Sequence, residues 1–508
     1  MTLKNIIEII NLIERNFPVE NWKINGIHVW PCIRSYLAET LRDKIVELHE
    51  YKEKYNLKIL SLTNRLLSGL KYSIESKLLD NKNDQKLKNK YNVLFLTNSS
   101  FRRSKIDGKW YDIYSYPIIE ELTKIGLKSY VLELSRNYVN RYPRYNETNL
   151  IEFKRNVFYL LEIIKSVLKR KKNTIEMVKF EQLENFLHKN NFKINVPELN
   201  YFVNKILKIQ YKSNYYENYI RKTKCTIGIV NGYGSDDGLA FCLACSKVRI
   251  KSIEIQHGMI SEMVPRYGKW SKVPESGYAL LPNIFWTWSE FEAKFINEWA
   301  TKHRDHHRAL KGGFFWANKW RNGEYDQLIK SAKNKIFKNV CTTDRFIILV
   351  ALQSIEFDPT WLKKTMLNSP DHYYWLIRFH PSYDNDEKRN IYYKYFAENK
   401  FTNFEITHAT NLQMMAILKL SNVLCTAFSS SVLDAKFMNV PSIVYHTYGA
   451  VHFKNEIQNG LTNVALTEKS FLKALLNVEK KETNTKKVNN TNETNKNLLL
   501  TLINDIKQ

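Results

Sequence analysis

The sequence predicts an α/β protein with two successive domains of parallel strands and helices. Short apolar runs that end in a polar turn recur in both halves of the chain, and most are followed by a stretch with helical periodicity. A chain of 508 residues is also too long for one ordinary hydrophobic core, which favours two domains. Because strand, helix and strand in this order form a right-handed parallel unit, the residues that follow the strands gather at one edge of each sheet.

The first half of the chain divides into a helical region and an α/β domain. Residues 1–90 combine apolar positions at helical spacing with a basic connector. At Tyr91 the period changes, and NVLFLTNSS predicts the first buried strand of a domain that extends over 91–310. Within it, CTIGIVNG and KSIEIQHG predict two strands joined by the helix DGLAFCLACSKV. We therefore expect the residues after both strands, 231–237 and 256–258, to lie on the same edge of a sheet.

The second α/β domain is predicted over residues 311–478. Its strands begin with RFIILVALQ and continue with YYWLIRFHP, VLCTAFSSS and SIVY, and helical patterns follow to its end. Residues 479–508 start with the polar, low-complexity run EKKETNTKKVNNTNETNK, which predicts a hinge before one terminal helix.

A serine-rich turn in the second domain predicts an anion site. In VLCTAFSSSVLDAKFMNVPSIVY, an apolar strand is followed by Ser429–Ser431 and then by a helix, whose first N–H groups lack intrahelical partners. Those N–H groups, the serine hydroxyls and the positive end of the helix dipole would together hold a phosphate. Upstream, YYWLIRFHP ends a strand with Arg378 and His380 beside Pro381. Serines at a helix start are also common caps, so it is the convergence of two strand ends that predicts a nucleotide-phosphate site.

The net charge of +26, with a pI near 9.5, indicates a polyanionic partner: nucleic acid, anionic lipid or a phosphorylated substrate. Basic residues are densest over 78–90 and 166–173, where they flank apolar helical segments and do not alternate with stacking aromatics. That pattern favours an anionic membrane surface over nucleic acid, with a lysine-rich solvated surface as the alternative. The sequence has no run of about 18 apolar residues, so we expect a cytoplasmic protein attached peripherally to the inner face of the membrane.

The cysteines and acidic residues predict no metal or other cofactor. Six cysteines are scattered in apolar contexts, and the pair Cys242 and Cys245 has no partner at zinc spacing. Asp384-Asn385-Asp386 is formally a D-x-D sequence, but it lies in a charged segment without a glycine-rich approach. We expect the cysteines to be buried thiols in a reducing compartment and the acidic segment to be a solvated loop.

Three motifs resemble those of bacterial capsule and lipopolysaccharide glycosyltransferases of the GT-B fold: Glu254-Ile255-Gln256-His257-Gly258, Arg378-Phe379-His380-Pro381, and Ser429-Ser430-Ser431 followed by Asp434 and Pro441. The group includes Kdo transferases and the sialyl- and polysialyltransferases that use CMP-sugars, and the CDP-glycerol glycerophosphotransferases are more distant relatives. The resemblance spans roughly residues 225–450. It implies two Rossmann-like domains facing a cleft, the first for the acceptor and the second for the nucleotide-sugar donor, after a helical N-terminal extension.

The resemblance also implies roles for individual residues. In the sialyltransferases an acidic motif before a glycine supplies the base, which corresponds here to Asp236 and Asp237. The histidine of the His-Pro motif, here His380, contacts the donor phosphate, and a serine pair, here Ser429 and Ser430, binds the phosphate of CMP. Asp236 and Asp237 directly precede a predicted helix, so a helix cap with acidic residues at the positive end of the dipole is the alternative interpretation.

Sugar transfer needs residues of these types. A carboxylate or imidazole must activate the acceptor hydroxyl or attack the sugar, and cations or N–H donors must stabilise the departing phosphate. The candidates for the base or nucleophile are Asp236, Asp237 and His257. The candidates for the donor-binding side are Arg378, His380, Ser429, Ser430, Ser431 and Asp434. Gln256 and Gly258 are expected on the acceptor side.

Together with the motifs, the resemblance implies a glycosyltransferase. It would move a sugar from a nucleotide-activated donor, with a CMP-sugar favoured, to a capsular, O-antigen or lipopolysaccharide glycan at the cytoplasmic face of the membrane. The expected partners are the nucleotide-sugar, a lipid-linked or oligosaccharide acceptor and an anionic membrane surface, with no nucleic acid. Two alternatives stay open: a glycerophosphotransferase that uses CDP-glycerol, and a nonenzymatic protein that binds membranes or nucleic acid.

Overall fold

The computed structural model of the chain describes most of its length. The described residues are 3–47, 90–134, 141–168, 172–192, 194–261, 264–338, 345–353, 358–380, 386–482 and 499. The chain splits into two compact units, Met1–Phe314 with Asn495–Gln508, and Phe315–Thr494. Five features of the sequence lie wholly or largely outside the described residues: the basic connector that leads to residue 90, positions 169–171 of the basic run, Pro381, the Asp384-Asn385 pair and the C-terminal hinge.

The N-terminal region is helical, as the sequence predicts, but a hairpin interrupts it. Helix α1 (Leu3–Asn16) turns its isoleucines into the core, and α2 spans Trp30–Glu47. Between them, β1 (Lys23–Ile24) and β2 (Ile27–His28) pair antiparallel. The Asn25-Gly26 turn has positive φ at both residues, 53° and 74°, the conformation that an Asn-Gly pair adopts in a two-residue hairpin. The Asn25-Gly26 pair could have predicted the hairpin from the sequence, but the segments on both sides of it have helical periodicity, which led to a helical prediction for the whole region.

A seven-stranded parallel sheet forms the centre of the first unit. Its strands are β3 (Val93–Asn98), β6 (Ser129–Leu134), β7 (Asn149–Leu150), β9 (Ile227–Asn231), β10 (Lys251–Ile255), β11 (Ile284–Thr287) and β12 (Arg308–Lys311). Their order is β12-β11-β10-β9-β3-β6-β7, and every neighbouring pair is parallel. Strands β3 and β11 are buried at every position, which is why they stand out in the sequence as continuous apolar runs.

Helices and two short antiparallel pairings surround this sheet. The helices are α3 (Ser115–Lys124), α4 (Glu152–Leu168), α5 (Leu183–Lys189), α6 (Leu199–Thr223), α7 (Asp236–Val248) and α8 (Glu290–Ala300). Helix α7 joins β9 to β10, as DGLAFCLACSKV predicts. After β3 the chain forms a hairpin of β4 (Arg102–Ile106) and β5 (Lys109–Asp112), and β8 (Ile175–Glu176) pairs with β1.

The second unit contains a six-stranded parallel sheet. Its strands are β13 (Phe346–Ala351), β14 (Tyr373–Arg378), β15 (Phe404–Glu405), β16 (Val423–Thr426), β17 (Ser442–Val444) and β18 (Thr462–Val464). Their order is β15-β14-β13-β16-β17-β18, again with every neighbouring pair parallel. A core that includes Ile348, Trp375 and Phe396 covers one face of it.

The helices of the second unit are mostly short. They are α9 (Phe315–Arg321), α10 (Asp326–Ile336), α11 (Thr360–Leu367), α12 (Asp386–Glu398), α13 (Thr407–Asn411), α14 (Met414–Lys419), α15 (Ser431–Phe437), α16 (Thr447–His452), α17 (Lys454–Gln458) and α18 (Glu468–Glu482). In the described part of either unit, no helix combines the length and the apolar character that crossing a bilayer requires.

Candidate functional site

The carboxyl ends of the central strands of the first sheet are level with one another. Asn231 at the end of β9 lies opposite Ile255 at the end of β10, and Ile255 lies opposite Trp286 in β11. The segments after β9 and β10, 231–237 and 256–258, therefore share one edge of the sheet, as predicted. In a parallel sheet this is the edge at which ligands bind.

His257 lies at this edge in a partly enclosed position. Its side chain is 25% exposed, and its ring lies 5.5 Å from the ring of Phe101 and 6.4 Å from that of Tyr114. Gly232 passes beside the imidazole with a φ of +78°, and a Cβ atom there would lie 3.4 Å from the ring, so glycine suits both the backbone and the space. Within the described residues, His257 Nδ1 is buried without a hydrogen-bond partner.

The carboxyl group next to His257 belongs to Glu254, whose Oε1 lies 3.8 Å from His257 Nδ1. Glu254 is buried, and its Oε1 accepts hydrogen bonds from the Tyr267 hydroxyl at 2.8 Å and from the Tyr233 N–H at 3.3 Å. Burial raises the pKa of Glu254 from 4.5 to about 8, against the opposing effect of these hydrogen bonds. The carboxyl group is therefore mostly protonated at neutral pH.

The neighbouring imidazole is shifted in the opposite direction. Burial, together with the positive charges of Arg266 and Arg103, lowers the pKa of His257 from 6.5 to about 4. Both groups are thus predominantly uncharged at neutral pH, the protonated acid beside the unprotonated base. Titratable neighbours whose pKa values are pushed apart in this way are characteristic of acid–base sites.

Gln256 and Gly258, predicted on the acceptor side, hold the backbone around His257. The buried Gln256 side chain donates from Nε2 to the Gly258 carbonyl at 2.9 Å, and its Oε1 accepts from the Trp288 N–H at 2.6 Å. These bonds tie the end of β10 to the end of β11 and fix the loop that carries the imidazole. Contact of either residue with an acceptor stays a prediction.

Asp237 lies at the start of α7, where its carboxylate points into the packing with α4 and α6. Its Oδ1 is 2.8 Å from Arg155 Nη1 and accepts from the Tyr216 hydroxyl at 2.7 Å, and its Oδ2 is 2.8 Å from Lys212 Nζ. Burial opposes ionisation, but the charges of Arg155 and Lys212 outweigh it and hold the pKa of Asp237 well below its usual range.

Asp236 forms ion pairs with α6, to Lys205 and, at 2.9 Å, to Lys208. These lysines lower its pKa from 3.8 to about 2, despite partial burial. Ser235 caps the helix, because its Oγ accepts from the Gly238 N–H at 3.1 Å. The helix-cap interpretation of this motif therefore holds for Ser235. The catalytic role of Asp236 and Asp237 stays a prediction, and the contacts of Asp237 argue against it because both its oxygens are occupied by buried cations and a tyrosine.

The second sheet brings four of its strand ends to one edge. Ala351, the last residue of β13, lies opposite Arg378 in β14 on one side and Thr426 in β16 on the other, and Thr426 lies opposite Val444 in β17. Partly buried His380 follows β14 by two residues, and the serine turn follows β16. The sheet register thus brings the two predicted phosphate-binding segments to the same edge.

Arg378 is engaged with the backbone of its own unit. Its Nη1 donates to the carbonyl of Ala409 at 2.5 Å and to that of Leu412 at 2.8 Å, so it fastens the α13 segment to the end of β14. The Phe379 N–H donates to Thr410 Oγ1 at 3.2 Å and reinforces the same junction. These contacts give Arg378 a structural role in anchoring the α13 segment. Donor binding by Arg378 stays a prediction.

The serine turn is held by its own short-range hydrogen bonds. The Ser429 N–H donates to Thr426 Oγ1 at 3.3 Å, and the Ser431 N–H donates to Ser429 Oγ at 3.3 Å. Ser430 is exposed, whereas Ser431 is buried at the first position of α15, the helix that also contains Asp434. Helix α16 packs directly on this turn at Gly449, where a Cβ atom would lie 2.2 Å from the Ala427 carbonyl oxygen.

Two residues at these edges were given no role in the sequence analysis: His446 was not considered, and Glu254 was named only as part of a motif. His446 follows β17, and its ring lies 5.7 Å from the ring of Phe428 in the turn after β16. Its Nδ1 accepts from the Tyr448 N–H at 3.1 Å, which caps α16. The signal for His446 was the same as for His380, a histidine directly after an apolar strand. The signal for Glu254 was a lone carboxylate within the apolar run KSIEIQ.

The cysteines and the metal-ligating side chains contribute nothing further to these edges. Cys32, Cys225, Cys242, Cys245 and Cys425 are buried free thiols, as the sequence predicts. Where the structure describes the chain, three or more His, Cys, Asp or Glu side chains never gather in a group able to hold a metal ion. That the reaction needs no metal stays a prediction.

Comparison with known proteins defines the fold class. No protein family and no curated protein matches this chain. Among solved structures, the chain is similar to the UDP-GlcNAc 2-epimerase from Neisseria meningitidis bound to UDP-GlcNAc, with a TM-score of 0.50, 12% identity, and coverage of 82% of this chain and 99% of that one. The UDP-GlcNAc 2-epimerase from Methanocaldococcus jannaschii gives a TM-score of 0.48 at 11% identity, with the same coverage of 82% and 99%.

The fold is GT-B. Each unit contributes a mostly buried parallel sheet with helices, as the sequence predicts. At 12% identity the likeness concerns the fold alone, so the narrower resemblance to Kdo transferases and sialyltransferases rests on the motifs.

Proposed function

We propose that this protein is a glycosyltransferase that takes its sugar from a nucleotide-activated donor. The observation that supports this most directly is the pair formed by Glu254 and His257 at the carboxyl edge of the first sheet. An imidazole that is unprotonated at neutral pH and partly open to solvent is free to accept a proton, and the buried protonated acid beside it adds no negative charge that would favour the imidazolium. His257 thereby becomes the leading candidate for the base, ahead of Asp236 and Asp237.

In the proposed reaction, His257 accepts the proton of an acceptor hydroxyl while the hydroxyl oxygen bonds to the anomeric carbon of the donor sugar. The bond between that carbon and the phosphate oxygen of the nucleotide breaks, and the phosphate leaves with the bonding pair of electrons. The proton then passes from the imidazole to water. Gln256 keeps the imidazole in place through its bonds to Gly258 and Trp288.

We assign the donor phosphate to the second unit, where His380 follows β14 and Ser429–Ser431 follow β16, the two strands that flank β13. His380 and the hydroxyls and N–H groups of the turn would stabilise the departing phosphate in place of a metal ion. The motif resemblance favours a CMP-sugar as the donor. The acceptor would be a lipid-linked or oligosaccharide precursor of a surface glycan, reached at the inner face of the membrane.

The test combines donor binding with turnover. Melting of the purified chain is measured with CMP, CDP, UDP and GDP and with matching nucleotide-sugars, since a ligand at a hundred times its Kd stabilises by about 2.7 kcal/mol. We expect a cytidine nucleotide to give the largest shift, and release of the free nucleotide to require an added acceptor. A chain that binds none of these compounds contradicts the proposal, and CDP-glycerol as the preferred donor would replace sugar transfer by glycerophosphate transfer.

A second candidate function is epimerisation of a nucleotide-sugar. It is favoured by the structural likeness to an enzyme whose ligand is UDP-GlcNAc. Such an enzyme needs no acceptor and converts its nucleotide-sugar into a stereoisomer. Proton NMR of UDP-GlcNAc incubated with the chain alone distinguishes the two reactions: new sugar signals without free UDP indicate epimerisation, whereas a transferase leaves the spectrum unchanged until an acceptor is added.

A further inference from the structure

Helix α4 carries an apolar surface on its solvent side. Every exposed position of this helix is either a large apolar residue or a lysine: Lys154, Val157, Leu160, Leu161, Ile164, Lys165, Val167 and Leu168. The exposure of the apolar side chains is large and rises along the helix, from 40% at Val157 to 77% at Leu168. Scattered exposed apolar residues are ordinary, but a continuous group on one helix indicates a contact surface.

These apolar residues form one stripe. At 100° per residue they span an arc of about 120°, centred opposite the side that faces the protein. That inner side is fastened to α6 and α7. Phe158 lies 5.5 Å from Tyr215 and Tyr159 lies 6.1 Å from Tyr211, ring to ring, and Arg155 pairs with Asp237. The helix is therefore held by its other face, and the stripe is directed away from the unit's core.

The charges around the stripe identify its partner. The exposed charged residues of α4 are both lysines, Lys154 and Lys165, and helical geometry places them on the same side of the stripe. Lys165 pairs with Glu162 yet stays 62% exposed. The sequence continues directly with Lys169-Arg170-Lys171-Lys172, of which positions 169–171 lie outside the described residues. An apolar stripe flanked by basic residues without exposed acids matches a surface of anionic lipid.

A second copy of the chain fits this surface less well. A two-fold contact presents the same patch on both subunits, so the lysines of one α4 would meet an α4 that is apolar and basic and has no exposed carboxylate of its own. An anionic bilayer satisfies both halves of the pattern, because acyl chains take the apolar stripe and phosphate headgroups take the lysines. The net charge of +26 also favours an anionic bilayer over a second, equally positive copy of the chain.

We propose that α4 lies flat in the headgroup region of an anionic bilayer, with Leu160, Ile164 and Leu168 directed toward the acyl chains. The choice of a membrane as the partner rests in part on the proposed function, since a lipid-linked acceptor is located there. Binding to vesicles is measured without donor or acceptor, so its failure leaves the transfer reaction untouched, and failure of transfer leaves the membrane surface untouched.

The experiment is vesicle flotation of the full chain, with phosphatidylcholine alone and with phosphatidylcholine and phosphatidylglycerol at about 3:1. The stripe variant combines Leu160→Gln, Ile164→Gln and Val167→Gln, because glutamine keeps a good helix propensity. A matched control combines Val451→Gln, Leu466→Gln and Leu476→Gln, three residues of the second unit that are 45–46% exposed. We expect the parent and the control to float with the anionic vesicles, and the stripe variant to bind at least tenfold more weakly.

A second measurement keeps the proposal testable should the triple variant misfold. Leu161→Cys, labelled with an environment-sensitive fluorophore, should show a blue shift when anionic vesicles are added, while Leu466→Cys labelled in the same way should not. Equal flotation of the stripe variant and the parent, or no fluorescence change at position 161, overturns the proposal. So does a concentration-dependent dimer of the parent that the stripe variant abolishes while vesicle binding is absent, because that result assigns the stripe to a protein contact.

Discussion

Asp237 and Arg155 form a buried ion pair, with 2.8 Å between Oδ1 and Nη1, that joins the start of α7 to α4. The other carboxylate oxygen of Asp237 pairs with Lys212 of α6, so one side chain connects three helices. Asp237 is also one of the two carboxylates, with Asp236, that the motif resemblance implies as the base. Its contacts instead indicate a structural role, because they hold α4, the helix whose outer face we propose to bind the membrane.

Asp237→Asn should therefore destabilise the protein more than it affects chemistry. The substitution leaves Arg155 and Lys212, each with 8% side-chain exposure, buried without their counter-charge, and breaking such a pair costs about 3–5 kcal/mol. Asp236→Asn is the matched control. Its partners Lys205 and Lys208 are 31% and 42% exposed, so its loss should cost about 1 kcal/mol or less. Urea denaturation followed by circular dichroism measures both.

The pH dependence of the same pair has a definite sign. Because the pKa of Asp237 is held below its ordinary value of 3.8, its stabilising contribution is complete above that pH and is lost as the pH falls further. The difference in stability between the parent chain and Asp237→Asn should shrink in acid. An Asp237→Asn variant that is as stable as the parent and yet loses transfer would restore the carboxylate as the base.

Glu254→Gln should change how stability depends on pH. The folded chain holds the Glu254 proton up to a pKa of about 8, whereas the unfolded chain releases it near 4.5. Between these values the folded state binds more protons, so the contribution of Glu254 to stability falls as the pH rises from about 4.5 to about 8. Glutamine does not ionise and can still accept from Tyr267. The variant should gain stability relative to the parent across this window. Urea denaturation at several pH values measures the free energy of unfolding of both proteins. If the two free energies change in parallel with pH, Glu254 is not protonated in the folded chain.

An element of this fold can be predicted from the sequence when its own residues carry a recognisable pattern. Buried central strands such as β3, β13 and β16 were predictable because both their faces are covered, which leaves continuous apolar runs. The strands β7 and β15 have only two residues each, too few for any period. The hairpin of β4 and β5 did have a local signal in the Asp107-Gly108 turn, where both φ values are positive.

The candidate site shows the same division. The strand-end positions of His257 and His380 followed from apolar runs that stop at a polar turn. The partners of Asp237 could not be predicted in this way, because Arg155 and Lys212 belong to two other helices and the sequence around position 237 gives no sign of them. The shifted pKa of Glu254 likewise arises from burial by the surrounding tertiary structure, which a single carboxylate in an apolar strand suggests only in retrospect.

His380→Ala should weaken donor binding without unfolding the second unit. A tenfold loss of affinity would remove about half of the roughly 2.7 kcal/mol that a nucleotide contributes at a hundred times its parent Kd. His372→Ala is the matched control. His372 directly precedes β14, at the end opposite to Arg378, and its Nε2 lies 2.7 Å from Glu479 Oε1. Thermal shifts with the preferred nucleotide should fall for His380→Ala alone, and equal shifts in both variants would remove His380 from the site.

His257→Ala should lower the rate of transfer by about a hundredfold or more while donor binding is retained, since a general base contributes a rate factor of roughly 10²–10⁴.

The pH profile of the unmutated enzyme tests the assignment of His257 as the base. Because the pKa of His257 is lowered to about 4, kcat/KM should stay on its plateau down to about pH 5, whereas an unperturbed histidine would lose activity near 6.5. Arg266→Gln removes one of the two charges that depress this pKa and should move the acid limb upward. Arg345→Gln, in the second unit, is the control for loss of an arginine and should leave the limb in place. An acid limb that does not respond to Arg266→Gln, together with full turnover in His257→Ala, would show that another group takes the proton.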